Sequence, residues 1–523
     1  MKPQDVLPQL VDALRQPACY NHPVGQVQHV ETHISHLLLT GPYAYKLKKP
    51  LNLGFLDFRT LEQRRFYCME EVRLNRRLAP LDYLGVVTIR GSLSAPHIDG
   101  EGPVLDYAVQ MRQFDPNATL DRLEERSQLT VRHVDAIAAI LAEFHATAQV
   151  AEPLSCWGSA AAIWVPVAQN FAQLTAWLES QEDRAMLETL RNWSVAEHAR
   201  LVADFEQRRE HGFIRECHGD LHLGNMAWRD DALLIFDCIE FNPDLRWIDV
   251  MSETAFCYMD LLQRGHGEFA ARFLNHYLER TGDYGGLALL RYYAVYRAMV
   301  RAKVATIRAL QPALTEGEAK REARLARAYL HLALEFTQSI APKLFITHGL
   351  SGSGKTTFSQ ALIEQAGVIR LRSDIERKRL AGLDMLARTN AGVGTGIYGP
   401  GSSRRTYGHL AYLAERLLHA GWNVLVDATF VSRWQRELLS HVASACKTPF
   451  LILDFPVPVD ELRIRVESRR EEAKDASEAD LGVLDYQIAH HEPLSPEEAK
   501  SVVLATSVDH VLSCIARRSA VAL

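Results

Sequence analysis

The stretch 345–357, FITHGLSGSGKTT, constrains the fold of this chain more than any other part of the sequence. An apolar run leads into a glycine-rich turn, and Gly349 and Gly354-Lys355-Thr356 have the spacing of a phosphate-binding P-loop. Glycines let successive backbone N–H groups line a nest for phosphate oxygens, at the start of a helix that favours anions. The pattern predicts an ATP site in which Lys355 reaches the β- and γ-phosphates and Thr356 is a ligand of Mg²⁺. The nucleotide-binding residues predicted here are Gly349, Ser351, Gly352, Ser353, Gly354, Lys355, Thr356 and Thr357.

A domain boundary is predicted near residue 340, so that residues 1–340 and 341–523 form separate domains. Residues 311–340 have helical periodicity, with Thr315 as N-cap and Glu318 completing a capping box. Ala341-Pro342 ends this helix, because the residue before a proline avoids the helical conformation. The strands predicted in the second domain are 343–347, 367–371, 423–428 and 449–455. Their alternation with helices predicts an α/β fold with a parallel sheet covered on both faces.

Two aspartates of the second domain end predicted strands. Asp427 follows an apolar strand at the position where P-loop proteins hold Mg²⁺ through water; the alternative is a turn-capping aspartate. Asp374 lies about 18 residues after the P-loop and is a candidate base for a substrate hydroxyl. The alternative for this segment is that Ser373 or Asp374 caps the helix that follows.

Arginines follow in the stretch 461–480, ELRIRVESRREEAKDASEAD, where Arg465 and Arg469 lie one helical turn apart. A lid that carries these arginines would neutralise charge on the transferring phosphoryl group, so both are candidate catalytic residues. The alternative is a solvated helix whose arginines pair with neighbouring glutamates. Residues 392–410 contain Arg404, Arg405 and Tyr407 and are interpreted as a mobile segment beside the substrate or as a plain flexible loop.

The second domain resembles the P-loop small-molecule kinases of the predicted-kinase, polynucleotide-kinase-like and zeta-toxin-like group. The resemblance covers about residues 343–515 and rests on GLSGSGKTT, SDIERKR, VLVDATF and DASEAD. It implies a kinase rather than a motor or a GTPase, and it names no phosphate acceptor.

The first domain contains the stretch 218–225, HGDLHLGN, followed by Asp237 at the end of an apolar strand. Protein-kinase-like enzymes have this order of a catalytic Asp, an Asn and a metal-binding Asp. Asp220 would accept the proton of the acceptor hydroxyl, while Asn225 and Asp237 would hold Mg²⁺. Two alternatives are a transition-metal site of His218, Asp220 and His222, and a purely structural polar turn.

A kinase lobe also needs a lysine on a strand and a glutamate on a helix. Lys46 and Lys48 lie on one face of a predicted strand, and Glu70 and Glu71 lie on the helix predicted over 60–78. We predict that Lys46 and Glu71 form the pair, with Lys48 and Glu70 as alternatives. No glycine-rich motif precedes Lys46, and the phosphate-covering loop is expected near residues 31–36.

This half resembles the aminoglycoside phosphotransferase and choline-kinase-like family over about residues 30–310. The resemblance rests on HGDLHLGN and on IFDCIEFNPDLRWIDV, which contains a structural aspartate, Asp249. It implies a bilobal protein-kinase-like fold of the α+β class and phosphorylation of hydroxyls on small molecules. Together the two halves resemble bacterial proteins in which such a domain is fused to a P-loop kinase.

Composition limits the remaining possibilities. The net charge of −6 gives no general attraction to nucleic acid, although the second domain could carry a local basic groove. No apolar run reaches the roughly 18 residues of a membrane span, and the eight cysteines form no CxxC pair, so a reduced cytoplasmic protein is expected. The sequence contains no information on the oligomeric state.

Two functions follow from the motifs. The first is a bifunctional phosphotransferase that uses ATP and Mg²⁺ in both halves, in successive steps or with mutual regulation. The second is a regulatory or toxin-like P-loop kinase or ATPase whose N-terminal half is a pseudokinase that binds a ligand.

Overall fold

The computed structural model describes residues 3–52, 56–178, 180–311, 314–389, 395–472 and 480–521, with the side chains of 3–5, 469–472 and 515–521 left out. The chain divides into two compact units. Unit 1 contains Met1–Ala172 and His198–Asp260, and unit 2 contains Gln173–Glu197 and Leu261–Leu523. Residues of each unit have more tertiary contacts within that unit than with the other. Independent folding of residues 1–340 and 341–523 stays a prediction.

Unit 1 has the kinase-like α+β architecture, with an antiparallel sheet near its N-terminus and helices after it. Its strands are β1 Gln28–Glu31, β2 Ser35–Leu39, β3 Tyr43–Lys48, β4 Tyr83–Ser92, β5 Ala95–Ile98, β6 Val104–Arg112, β7 Ile214–Glu216, β8 Met226–Arg229, β9 Ala232–Ile235 and β10 Trp247–Asp249. Its helices are α1 Pro3–Ala13, α2 Leu61–Asn75, α3 Leu120–Glu125 and α4 Val131–Thr147, while α5 Ala160–Trp177, α6 Gln181–Glu210 and α7 Val250–Gln263 extend across the unit boundary.

The main sheet of unit 1 has the order β1-β2-β3-β6-β4-β5 and is antiparallel throughout. One face buries Leu38, Leu47 and Ile89 against apolar residues of α1. The other face buries Val109 against α2, which contributes Val72. Because side chains alternate along a strand, neighbouring residues of β3 serve opposite faces. This alternation directs the even-numbered lysines of β3 towards the α2 face.

Unit 2 contains the predicted parallel α/β sheet. Its strands are β11 Leu344–His348, β12 Ile369–Arg372, β13 Val424–Asp427, β14 Phe450–Asp454 and β15 Val502–Leu504, in the order β12-β13-β11-β14-β15. All four pairings are parallel. The four predicted strands are present, whereas β15, only three residues long, was not predicted.

Helices cover both faces of this sheet. The helices of unit 2, among which α9 and α10 pack on each other, are α8 Gly267–Thr281, α9 Leu287–Ala309, α10 Glu316–Thr337, α11 Lys355–Ala366, α12 Ser373–Leu380, α13 Pro400–His419, α14 Arg433–Ala445, α15 Val459–Glu472, α16 Leu481–Ala489 and α17 Val508–Val521. Leu362 of α11 and Val511 of α17 pack with Leu425 and Leu451 of the sheet. The Thr315 side chain accepts a hydrogen bond from the backbone N of Glu318, and the Glu318 carboxylate accepts one from the backbone N of Thr315. The predicted capping box of α10 is therefore confirmed.

The edge strand β12 is covered by α8. Asn275 Nδ2 donates to Val368 O at 3.0 Å, and Asn275 Oδ1 accepts from Arg370 N at 2.8 Å. These two bonds replace the partner strand that an edge lacks, which protects the edge from pairing with another chain. A side chain of α8, well before position 341, therefore hydrogen-bonds to the edge of the parallel sheet.

One expectation for unit 2 was wrong. Residues 400–410 are not an irregular segment, because α13 begins at Pro400, a residue favoured in the first helical turn. Tyr407 is buried and lies edge-on against the rings of Phe430 and Trp434. This apolar packing fixes the segment as a helix; residues 390–394 lie outside the described residues.

Among the residues that the structure describes, no helix combines the length and the apolar character needed to cross a membrane.

Candidate active sites

Lys46 is the centre of the first candidate site, in unit 1. Its Nζ lies 2.8 Å from Glu71 Oε1 and 2.5 Å from Asp237 Oδ1. Glu71 is fully buried, whereas about half of the Asp237 side chain is exposed. Burial alone would lower the pKa of Lys46, but the carboxylates of Asp237 and Glu71 raise it well above its usual value. The structure therefore brings together a charged lysine, its helix-borne glutamate and the candidate metal aspartate.

The two alternatives for this pair have different surroundings. Lys48 Nζ lies 2.6 Å from Glu71 Oε2 and also contacts Glu240, with all three side chains at least 97% buried. Glu70 instead binds Arg73, with Nε to Oε1 at 2.9 Å. Of the two lysines, only Lys46 also reaches Asp237, while Lys48 joins an internal ion pair.

Buried polar groups support the predicted catalytic loop through hydrogen bonds. Gly219 has φ of +90°, and a Cβ there would lie 2.8 Å from Leu245 O, so glycine is required. Its backbone N donates to Glu253 Oε1 at 2.7 Å, and Glu253 Oε2 also contacts His145 at 2.8 Å. Burial opposes ionisation of Glu253, but His145 lowers the pKa of this carboxyl below its usual value.

His218 supports the same loop through both ring nitrogens. Nε2 lies 2.8 Å from Phe236 O, and Nδ1 accepts from Asp220 N at 3.3 Å. Burial lowers the pKa of His218, which favours the neutral ring that this arrangement requires. Because both nitrogens are engaged, the alternative of a metal site built on His218, Asp220 and His222 does not fit the structure.

Asp220 and Asn225 are joined directly. Asn225 Nδ2 donates to the backbone O of Asp220 at 2.9 Å and to its Oδ2 at 3.0 Å. The Asp220 carboxylate keeps about a third of its surface exposed, so it is accessible from solvent. With its amide NH₂ bound to Asp220, Asn225 presents its oxygen as a possible metal ligand.

Asp237 has φ of +64°, a conformation uncommon for residues other than glycine. Its backbone N donates to the hydroxyl of Tyr83 at 3.2 Å, which fixes the strand end. The Asp237 carboxylate and the Asn225 amide each offer an oxygen, the ligand type that suits a hard cation such as Mg²⁺. The chemistry of these residues fits the predicted metal.

Several supporting residues were not identified from the sequence: Lys48 and Glu240 as a pair, Tyr83, His145 and Glu253. Glu240 follows Asp237 by three residues, and this short spacing is the sequence feature that could have identified it. His145 and Glu253 are 108 residues apart, and nothing local links them. The predicted structural aspartate, Asp249, binds Arg208 through two bonds of 2.6 and 2.8 Å.

The second candidate site, in unit 2, is the glycine loop between β11 and α11. Gly349, Gly352 and Gly354 all have positive φ. A Cβ on Gly349 would lie 2.9 Å from Ser353 Oγ, and one on Gly352 would lie 3.1 Å from Leu462 O. The loop thus has the close backbone curvature that a phosphate nest requires, and its residues fit the predicted nucleotide.

Lys355 is buried within this loop. Its Nζ donates to Leu350 O at 2.7 Å and lies 3.2 Å from Ser353 Oγ. Thr356 is half-buried in the first turn of α11, and Thr357 beside it is exposed. At the other end of the loop, Ser351 exchanges two hydrogen bonds with Gln487 of α16, of 2.9 and 3.0 Å.

Asp427 belongs to a chain of buried polar groups. Its Oδ2 lies 3.1 Å from Ser359 Oγ, which in turn accepts from Arg370 Nη1 at 3.0 Å. Arg370 Nε donates to Glu279 Oε1 of α8 at 2.8 Å. Burial opposes ionisation of Glu279, but Arg370 lowers its pKa. The candidate metal aspartate is thus linked to α8 through two intermediate side chains.

The remaining predicted residues of unit 2 are placed as follows. Asp374 is half-buried in the first turn of α12, at the end of the sheet where Arg372 pairs with Asp427. Arg465 of α15 lies over the glycine loop, with Nη1 3.4 Å from Gly352 O, and it also pairs with Glu461. The side chain of Arg469 lies outside the described residues.

Comparison with known proteins finds a matching family model in each half of the chain. Residues 67–290 match the model of the phosphotransferase enzyme family, and residues 344–494 match the model of an AAA domain. An uncharacterized protein of Mycobacterium tuberculosis and one of Mycobacterium bovis are each 28% identical over 462 residues, 88% of this chain and 90% of theirs. The relatives therefore contain both halves.

Solved structures of two classes are similar to parts of the chain. An amicoumacin kinase in complex with AMP-PNP, Ca²⁺ and Ami is 14% identical, with a TM-score of 0.40 over 62% of this chain and 95% of its own. A choline/ethanolamine kinase family protein from Mesorhizobium loti is 9% identical, with a TM-score of 0.37 over 63% and 99%. A sugar kinase from Janibacter is 20% identical, with a TM-score of 0.26 over 33% and 92%.

The phosphotransferase model, matched over the segment that contains Asp220, Asn225 and Asp237, identifies the chain as an enzyme of the kinase class. Nucleotide binding follows from the two matched families. At these identities and TM-scores, the solved structures do not indicate which compound is phosphorylated.

Proposed function

We propose that the chain is a bifunctional phosphotransferase that uses ATP and Mg²⁺ at two separate sites to phosphorylate hydroxyl groups of small molecules. One observation carries the proposal for unit 1: Lys46 Nζ contacts both Glu71, at 2.8 Å, and Asp237, at 2.5 Å. This contact sets a charged lysine beside the candidate metal aspartate, which supports an active kinase over a pseudokinase.

In unit 1, we assign the acceptor hydroxyl to Asp220, the partly exposed carboxylate of the loop. Asp220 orients the hydroxyl and takes its proton as the new oxygen–phosphorus bond forms and the bond to the departing nucleoside diphosphate breaks. Lys46 binds phosphate oxygens, and Asn225 and Asp237 hold the metal. Bound Mg²⁺ supplies charge neutralisation on the phosphates.

In unit 2, the proposal assigns nucleotide phosphates to the loop 349–357, with Lys355 as the cation inside the nest. Thr356 and Asp427 hold Mg²⁺, and Asp374 is the base for the second acceptor. Arg465 is placed to neutralise charge on the transferring group, since it already lies 3.4 Å from Gly352 O. Arg469 is proposed on the sequence pattern alone.

The proposal extends to location and partners. The protein is placed in the cytoplasm, supported by the lack of a disulfide among its eight cysteines, all of which lie in the described parts of the chain. Its partners are small hydroxyl compounds, with no membrane. Nucleic acid is kept only as a possible acceptor for unit 2, and the two halves act in sequence or regulate each other.

The test incubates γ-labelled ATP and fractionated cell extract with the full chain and with Asp220→Asn and Lys355→Ala variants. Asp230→Asn is the matched control for the first, because Asp230 is exposed in the same unit. Lys320→Ala is the control for the second, because Lys320 is exposed on α10. Each active-site variant is expected to remove a different labelled product.

If Asp220→Asn leaves every labelled product unchanged, unit 1 is not a kinase, and the alternative applies: a regulatory or toxin-like P-loop kinase with a ligand-binding N-terminal half. If Lys355→Ala keeps full nucleotide binding by unit 2, the assignment of the glycine loop is wrong.

A further inference from the structure

Three potential metal ligands meet on the β1–β2 hairpin of unit 1. His29 Nε2 lies 3.0 Å from His36 Nδ1, and one ligand atom from each of His29, Glu31 and His36 lies within 4.8 Å of the other two. His29 and Glu31 share a face of β1 because they are two residues apart. Glu31 lies directly opposite His36 in the antiparallel pairing.

The side chains of this cluster lie on the face of the sheet opposite Lys46, although Glu31 and His36 flank the turn that was predicted to cover the phosphates. His36 pairs with Leu47, and Leu47 belongs to the apolar face packed against α1. Lys46 is the neighbour of Leu47 along β3, so its side chain projects to the opposite face, where Glu71 binds it. A ligand of the histidine cluster would therefore lie across the sheet from Lys46.

The spacing of the two imidazoles fits a shared metal. Nitrogen ligands at about 2.0–2.1 Å from a tetrahedral metal are roughly 3.3 Å apart, close to the 3.0 Å seen between the rings. His36 is 8% exposed, whereas the Glu31 side chain is 58% exposed. The buried ring of His36 thus holds the cluster at the protein interior, and the exposed carboxylate of Glu31 keeps the cluster accessible from solvent.

A cation, Lys49, lies beside the cluster. Lys49 Nζ contacts Glu31 Oε1 at 2.6 Å, and a carboxylate has a second oxygen for a metal.

We propose that His29, Glu31 and His36 form a binding site for a divalent cation of the zinc class. Two imidazoles and one carboxylate provide three protein ligands and leave a fourth position for water, and nitrogen ligands select zinc-class ions over Mg²⁺. The bound ion would join the edge strand β1 to β2, below the turn at 32–34 that connects them.

The test measures Zn²⁺ binding to the full chain by equilibrium dialysis in excess Mg²⁺, which saturates oxygen-ligand sites. Single variants are His29→Ala, His36→Ala and Glu31→Gln. The matched control is His97→Ala, since His97 is an exposed histidine on β5 of the same sheet. We expect each cluster variant to lose one molar equivalent of zinc relative to the parent and the control to lose none.

A second measurement follows thermal unfolding with and without Zn²⁺. The parent and His97→Ala should gain thermal stability from zinc, and the cluster variants should gain less. If His36→Ala does not fold, His29→Ala and Glu31→Gln decide the outcome, because both side chains are more exposed than His36. Equal zinc stoichiometry in the parent, His29→Ala and Glu31→Gln would overturn the proposal.

Discussion

Lys46 Nζ lies 2.5 Å from Asp237 Oδ1, although 191 positions separate the two residues in the chain. The contact joins the third strand of the sheet to the end of a later hairpin. Lys48, on the same strand face, instead joins Glu71 to Glu240 in an environment closed to solvent. Adjacent lysines of one strand face therefore have different expected roles.

Exchanging each lysine for methionine should separate these roles. Lys46→Met is expected to lower phosphotransfer by unit 1 by roughly 10²- to 10³-fold, because the phosphates lose their cation, with a smaller loss of stability. Lys48→Met leaves Glu240 buried without its lysine, while Glu71 keeps Lys46, and should cost about 3–5 kcal/mol of unfolding free energy. Urea denaturation and initial rates measure the two effects. Equal stability of the two variants would contradict the division.

The pH dependence of stability should include a contribution from His218. Its folded pKa is lowered, mainly by burial, although Glu253, Asp220 and Asp237 face the ring and oppose the shift. The unfolded chain takes up this proton below about pH 6.5, so stability present above that pH is lost as the pH falls, by up to about 1.4 kcal/mol per pH unit. His218→Gln should show a shallower fall between pH 7 and 5. An unchanged slope would show that His218 is not the titrating group.

Arg465 and Arg463 provide a matched pair on α15. Their side chains are 45% and 42% exposed, but only Arg465 contacts the glycine loop, at Gly352 O. Arg465→Ala is expected to lower kcat of unit 2 by roughly 10²-fold, the usual effect of removing one charge-stabilising donor. Arg463→Ala should leave kcat unchanged, and an unchanged kcat in both variants would favour the solvated helix.

Removing Arg370 should destabilise unit 2. Arg370→Met leaves Glu279, which is buried, without its cation and is expected to cost about 3–5 kcal/mol. The control is Arg280→Met, since Arg280 is exposed on the same helix as Glu279. Thermal unfolding measures the difference. A loss no larger than that of the control would show that Glu279 finds another partner or becomes neutral.

The extent of the second folding unit can be tested with two fragments, 341–523 and 261–523. The shorter fragment lacks Asn275 and Glu279, so the edge of β12 is open and Arg370 loses its carboxylate. We expect it to aggregate or unfold at lower temperature than the longer fragment. Equal solubility and melting temperature would support the boundary near residue 340.

The sequence predicted those parts of the fold whose determinants are local. Four parallel strands and the capping box at Thr315 follow from apolar runs and from residues three positions apart. The prediction of a loop over residues 400–410 was wrong. The glycines and serines of this segment suggested a loop, whereas burial of Tyr407 against Phe430 and Trp434 stabilises a helix. The short strand β15 carried too few residues to show a period.

By itself the sequence determined the two phosphate-site motifs, because a glycine loop and the spacing from Asp220 to Asn225 and Asp237 are properties of contiguous chain. It favoured Lys46 but left Lys48 as an alternative, since the two-residue period of a strand gives both the same face. Tertiary structure determines the contact of Lys46 with Asp237, the link from Asp427 to Glu279, and the contact of His29 with His36. These depend on strand register and helix packing, which bring distant charged groups within a few ångströms and exclude water from some of them.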